Sequence, residues 1–335
     1  MNLRLHGDTL APPGALDFAT CLWPEPLPDS VQTALEQGLA ARDRYPDERP
    51  AREAIAARHG RAPEQVLLLN GACEAFWLLA HALWPRRAAC VHPGFTEPEA
   101  ALRAVGTDVV RVPLHPDDWS LDPASLPDGA EMIVLGNPSN PTGTLTAPET
   151  LVALARESRW LVLDESFIDF VVDREVSLAD RADIPGLVVV RSLTKLYALA
   201  GIRAGYLLAE PQLVERLGGH RQPWNVNALA CHALAACAED LETASRVARE
   251  VARARAELVA ALASLPGVSV WPSAANFLLL RVPDGPAIGH ALRARGIAVR
   301  PAASFPGLDE NHIRIAIRPQ VDNAQLLAAL SEVLA

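Results

Sequence analysis

One lysine in the run RSLTKLYALAGIRAGY (191–206) is placed to react as an amine. Lys195 follows an apolar run, LVVV at 187–190, and stands among small and hydroxylated residues, Ser192 and Thr194. A reactive amine must shed its proton near neutral pH, and partial burial or a neighbouring cation pushes it that way. Arg203 follows shortly after; its planar fork is charged at every accessible pH and suits a phosphate. Taken alone, the pair also reads as a surface lysine and an ion-paired arginine, which are commoner. Asp164 ends the apolar run WLVLD, where a buried carboxylate needs a partner. In GACE (71–74), Gly71 separates a strand from a helix whose first amides, at Ala72 and Cys73, suit an anion; an ordinary tight turn would look the same. Phe95 in HPGF could cover a flat ring or pack in the core. Asn140 in NPSNPTG (137–143) sits between two X-Pro steps that stiffen the loop and could offer its amide to a ring oxygen.

The surrounding pattern says how these groups meet. Seven short, nearly all-apolar runs read as strands: 66–70, 88–93, 108–114, 131–138, 160–166, 187–192 and 204–210. Helical stretches alternate with them at 73–83, 97–106 and 148–158, the last with Thr146 and Glu149 at capping-box spacing. Such alternation predicts an α/β fold with a mostly parallel seven-stranded sheet covered on both faces. Ligands of these sheets gather at the carboxyl ends of the strands. Every cluster named above falls at such an end, which predicts one shared site.

The N-terminal residues 1–28 are rich in Pro and Gly and read as an extended arm. A first helix is expected after Pro28, with Asp29 or Ser30 as its cap. Residues 29–218 form the predicted large domain. From 219 the pattern changes to one or two long alanine-rich helices. Strands follow at 268–271, 276–282, 297–300 and 312–317, alternating with helices at 286–295 and 322–334; the whole reads as a smaller α+β domain, 219–335.

Composition sets limits. The chain has 335 residues, half of them hydrophobic, and a net charge of -10, which argues against a general nucleic-acid binder. The five cysteines (Cys21, Cys73, Cys90, Cys231 and Cys237) form no CxxC pair and read as reduced thiols of a cytoplasmic protein. The start lacks the apolar core of a signal peptide, and no run is long enough to span a membrane. The nine histidines show no metal-ligand spacing, so no metal site is expected.

A protonated pyridine nitrogen would partner Asp164, and a pyridoxal ring carried on Lys195 would supply it. With that step the set is complete: phosphate site, ring cover, ring-oxygen donor, ring-nitrogen partner, reactive lysine and phosphate arginine. Over nearly its full length the chain resembles the fold-type-I pyridoxal-phosphate enzymes of the class I and II aminotransferase superfamily. More narrowly, DESFIDF (164–170), RSLTKLYALAGIRAGY (191–206), PWNVNALA (223–230) and the arm residues His6 and Gly7 resemble the threonine-phosphate decarboxylases of cobalamin biosynthesis, relatives of histidinol-phosphate aminotransferases. As in that subfamily, Phe167 stands where many aminotransferases carry a tyrosine. The resemblance implies pyridoxal 5'-phosphate as cofactor, with Lys195 bonded to its aldehyde carbon and Asp164 pairing the pyridine nitrogen. It also implies Asn140 at the phenolic oxygen, Phe95 on the ring, and Gly71, Ala72, Cys73, Ser192 and Arg203 at the cofactor phosphate.

Further implications concern partners. Tyr45 in RYPD resembles the tyrosine given across a dimer interface to the neighbour's cofactor phosphate, which implies a homodimer with shared active sites. The expected substrate is a small phosphorylated amino acid. Arg314 resembles the clamp on its α-carboxylate, near Asn140; Arg300 resembles the phosphate contact, with His6 and Gly7; Arg318 joins them or lies outside. Two departures bear on the substrate. Asp8 follows His6-Gly7 where a second glycine is usual, and Thr20, Cys21 and Leu22 replace a more polar stretch. The expected reaction is decarboxylation of L-threonine O-3-phosphate; the alternative is transamination of histidinol phosphate or a related amino acid. A regulator built on the same fold would need a DNA-binding segment ahead of it, and only the Pro-rich arm precedes the first helix.

Overall fold

The computed structural model describes residues 3–335. In chain order it runs β1 (Leu16–Asp17), α1 (Asp29–Ala40), α2 (Arg49–Arg58), β2 (Val66–Asn70), α3 (Cys73–Leu83), β3 (Arg87–His92), α4 (Glu97–Ala104) and β4 (Asp108–Pro113). Next come β5 (Met132–Gly136), α5 (Pro148–Leu154), β6 (Trp160–Asp164), β7 (Leu187–Ser192), β8 (Ala204–Leu208), α6 (Pro211–Gly219), α7 (Ala228–Glu239) and α8 (Leu241–Leu262). The chain closes with β9 (Ser269–Val270), β10 (Phe277–Arg281), α9 (Gly285–Ala294), β11 (Ile297–Ala298), β12 (Arg300–Pro301), β13 (His312–Ala316) and α10 (Gln320–Leu334).

The expected seven strands form one sheet in the order β2-β8-β7-β6-β5-β3-β4. The steps from β4 to β7 are parallel, and β8 alone runs against its neighbours β7 and β2. Both faces are covered, so successive residues enter different cores. Leu161 and Leu163 join one apolar cluster and Val162 the other; Leu187 and Val189 part from Val188 and Val190 in the same way. That explains runs without polar alternation. Each fully buried aliphatic side chain contributes about 1.5–3 kcal/mol, so packing on both faces holds these strands in place.

The C-terminal part forms a four-stranded sheet ordered β12-β13-β10-β9, with antiparallel pairing throughout. Three local expectations change. The strand expected over 297–300 splits, because Ile297 and Ala298 pair with Leu16 and Asp17 of the arm while Arg300 turns to face Arg314. The arm is thereby sewn into the C-terminal part, with Phe18 N–H donating to Ala298 O at 2.8 Å. The helix caps also differ: Pro28 and Ala147 precede α1 and α5, and neither helix has a side-chain cap, so Asp29 is already helical and the Thr146/Glu149 box does not form. Instead Thr146 N–H donates to Asn137 Oδ1 at 2.8 Å, which ties that segment to the loop after β5. No helix among the described residues is long and apolar enough to cross a membrane.

Candidate active site

Five loops leave the carboxyl ends of β2, β3, β5, β6 and β7 and open into one cleft of about 530 Å³, within the range of small-molecule sites. Ala72, Cys73, Phe95, Asn140, Asp164, Ser192, Lys195 and Arg203 all line it, as do His6, Gly7, Arg300 and Arg314. Gly71 stands just behind the wall. Its φ is +83°, and an added Cβ would come within 2.3 Å of the Arg203 guanidinium. The glycine therefore serves the turn and also the approach of an arginine to the first turn of α3.

Lys195 follows β7, anchored by Trp23 N–H donating to its carbonyl at 3.0 Å. Burial pushes its ammonium below the ordinary lysine range; Arg314 and Arg203 push the same way, while Cys21 and Asp164 oppose them. Its Nζ lies 5.9 Å from the centre of the Phe167 ring. At the end of β6, burial pushes the Asp164 carboxyl up, and Ser166 N–H, donating to its Oδ1 at 3.0 Å, partly offsets this. A cation brought to Asp164 would complete that offset. Neither nearby thiol is poised as a nucleophile: burial raises Cys21, and Cys73 is pushed up to about 12.

The opposite wall is arginine-rich. Arg314 Nη1 donates to Asn140 Oδ1 at 2.7 Å and Nη2 to Ala19 O at 2.6 Å, while its buried Nε is without a partner among the described residues. The Asn140 carbonyl thus faces Arg314, which turns its amide hydrogens elsewhere. Arg300 Nη2 donates to Ser304 Oγ at 2.7 Å and to Leu5 O; its buried Nη1 has no partner among the described residues. Burial, then the neighbouring Arg314, bring Arg300 down to about 10, with Asp8 opposing. Two buried guanidiniums with unused N–H groups are a site made for anions.

Two further residues lie outside this cleft. Tyr45 is outside the cleft, 74% exposed, and stacks on Trp224 with ring centres 4.3 Å apart. Arg318 is outside too, donating to Asp322 Oδ2 at 2.9 Å and to Asp17 O at 3.1 Å. Thr20, Cys21 and Leu22 do line the cleft, although Thr20 turns its hydroxyl to Asp17.

Sequence reasoning missed two supports. Beneath the floor Arg191 donates to Asp169 Oδ1 at 2.7 Å and to Glu165 Oε2 at 3.2 Å, all three buried. This ties the end of β6 to β7 and so sets Asp164 against Ser192 and Lys195; the two extra acids of DESFIDF were the available signal. The second is Glu97, the first residue of α4, buried in the cleft wall against Trp77 Nε1 at 2.9 Å. Nothing in its neighbourhood in the sequence marks it.

The family model for aminotransferase class I and II matches residues 23–333. The chain belongs to this family. A histidinol-phosphate aminotransferase of Mycobacterium bovis is 42% identical, over 98% of this chain and 90% of its own length. A threonine-phosphate decarboxylase of Salmonella typhimurium is 36% identical, over 97% and 93%. Among solved structures, the histidinol-phosphate aminotransferase from Clostridium acetobutylicum aligns with a TM-score of 0.89 at 26% identity, over 95% of this chain and 98% of that one. The fold is therefore fold type I, and the cofactor is pyridoxal 5'-phosphate. The residues present fit that group: an amine with depressed basicity, a buried acid pushed up by burial, and an arginine against a glycine at a helix start.

Proposed function

We propose that this enzyme decarboxylates L-threonine O-3-phosphate to (R)-1-aminopropan-2-yl phosphate, a step of cobalamin biosynthesis, and that it works as a homodimer. The observation that carries the substrate choice is the register of β12 on β13. Arg300 and Arg314 are direct cross-strand partners, so both side chains stand on one face. Cβ atoms of such pairs lie about 4.5–5.5 Å apart. Two adjacent guanidiniums suit a substrate with a carboxylate and a phosphate on neighbouring carbons. Threonine phosphate is such a molecule; histidinol phosphate carries one anion only.

The roles follow from the chemistry of each group. Ser192, Arg203 and the amides of Ala72 and Cys73 hold the cofactor phosphate, and Phe95 covers the ring. Asp164 keeps a proton on the ring nitrogen, and the Asn140 amide meets the phenolic oxygen. When bound, pyridoxal 5'-phosphate supplies the electron sink for whichever bond at the amine-bearing carbon stands perpendicular to its ring. Arg314 grips the carboxylate and Arg300, with His6 and Gly7, grips the phosphate; together they decide which bond that is. Such alignment amounts to a few kcal/mol of the barrier. The carboxylate leaves as CO2, its bonding pair stays on Cα, and Lys195 returns a proton there. Tyr45, exposed in one protomer, would reach the partner's cofactor phosphate.

A second reading is transamination of histidinol phosphate. It is favoured by the 42% identical relative and by the less polar wall at Cys21 and Leu22, which suits an imidazole. The deciding experiment incubates the holoenzyme with L-threonine O-3-phosphate and analyses the products. CO2 and aminopropanol phosphate, formed without any 2-oxo acid, are expected. Glutamate from histidinol phosphate and 2-oxoglutarate, with no CO2 from threonine phosphate, would replace this reading by the second.

A further inference from the structure

Glu97 is an odd residue to find in an anion-binding cleft. It is buried, it is charged, and its Oε2 is satisfied by Trp77 Nε1–H. Its other oxygen faces the N-terminal arm: His6 Nε2 stands 2.7 Å from Oε1 and Arg4 Nε 3.6 Å from it. His6 holds the Glu97 carboxyl below its ordinary range against the effect of burial. The arm is gripped at further points around this contact. Thr96 Oγ1 donates to Leu3 O, Arg4 lies over the Trp77 ring at 5.1 Å, and Arg300 donates to Leu5 O. Gly7 is pressed so closely on Ala19 that a Cβ would come within 2.6 Å of its carbonyl oxygen. The arm thus bridges the start of α4 on one side of the cleft and an anion-binding arginine on the other.

We propose that Glu97 is a positioning residue for the phosphate end of the substrate site, acting by mooring the arm through His6 and Arg4. The proposal rests on the phosphorylated-substrate reading given above. With Nε2 turned to the carboxylate, His6 donates there and presents the remainder of its ring to the cleft. Moored in this way, the arm completes the wall beside Arg300, whose Nη2 holds Leu5 O. Unmoored, it would take away a phosphate contact and bare the Glu97 carboxylate to the incoming dianion. The carboxylate is then favourable only while the arm covers it, which makes the effect of His6 and Glu97 non-additive.

The test uses the holoenzyme and its Glu97→Gln, His6→Ala and doubly substituted variants. Hydrogen exchange of residues 3–10 reads the mooring, and calorimetry with inorganic phosphate reads the anion site. Faster exchange in Glu97→Gln and about tenfold weaker phosphate binding are expected. His6→Ala should bind phosphate more weakly than the double variant does, a sign that no merely structural role would produce. Unchanged exchange in Glu97→Gln overturns the proposal, as does faster exchange with unchanged phosphate affinity. If Glu97→Gln does not fold, Arg4→Ala with His6→Ala tests the same contact from the arm. Should threonine phosphate not turn over, the function proposed above falls, yet exchange and calorimetry still decide the mooring.

Discussion

Lys195 and Asp164 stand at the ends of strands that are buried almost throughout, whereas His6, Asp8 and Arg300 meet across an arm with no strand before Leu16 among the described residues. The floor of the cleft is held by the Arg191, Glu165 and Asp169 network and by packed side chains on both sheet faces. The rim is held by side-chain contacts to an arm that has no sheet partner before Leu16 among the described residues. Chemistry common to a whole family belongs on the first kind of support, because a reacting carbon tolerates little misplacement. Recognition of one substrate among many suits the second, where few contacts have to change.

Substitutions in the two regions should accordingly fail in different ways. Lys195→Ala should abolish the cofactor's yellow absorbance and lower turnover by at least about 10²–10⁴-fold; an intact band would remove Lys195 from its role. Asp164→Ala should cut turnover far more than it cuts cofactor content, as absorbance and rate measured together would show. A fully active variant would refute the ring-nitrogen assignment. Below them, Arg191→Met should destabilise the fold by about 3 kcal/mol in denaturant titration, because it takes a shared buried cation from two buried acids, of which Asp169 keeps Arg174 at 3.3 Å and Glu165 keeps Ser177 Oγ–H at 2.6 Å. A loss under 1 kcal/mol would mean that the floor does not depend on this network.

Rim substitutions should be milder and selective. Arg300→Ala should raise KM for phosphorylated substrate by about tenfold to a hundredfold while sparing unphosphorylated analogues. An equal effect on both would take Arg300 out of the phosphate site. Smallest in one protomer, Tyr45→Ala should leave monomer folding intact, since the side chain is 74% exposed, yet weaken cofactor affinity if protomers share sites. Unchanged affinity in a dimer shown by light scattering would refute the shared-site proposal.

The same contrast separates what could be read along the chain from what could not. Strands that end in chemistry were legible because a two-sided sheet demands apolar runs, and five of those runs stopped at residues that line the cleft: Ala72 and Cys73, Phe95, Asn140, Asp164, and Ser192 with Lys195. Local pattern failed where a residue answers to a distant partner. Arg300 left the expected strand 297–300 to pair with β13, and the 146–149 cap was given up for a bond to Asn137. Glu97 carried no signal and Arg191 only the two extra acids of DESFIDF, because each draws its meaning from segments far away in the chain: the arm for one, those acids for the other.

By itself, then, the sequence determined the alternation of strand and helix, the sheet's carboxyl edge as the place of chemistry, and the groups assembled there. These follow from periodicity and side-chain type, which are local. Tertiary structure alone decided that two arginines stand side by side, that a buried glutamate moors the arm, and that Tyr45 faces away from its own cleft. Those outcomes depend on which distant segments pack together, and packing is settled by the whole molecule at once.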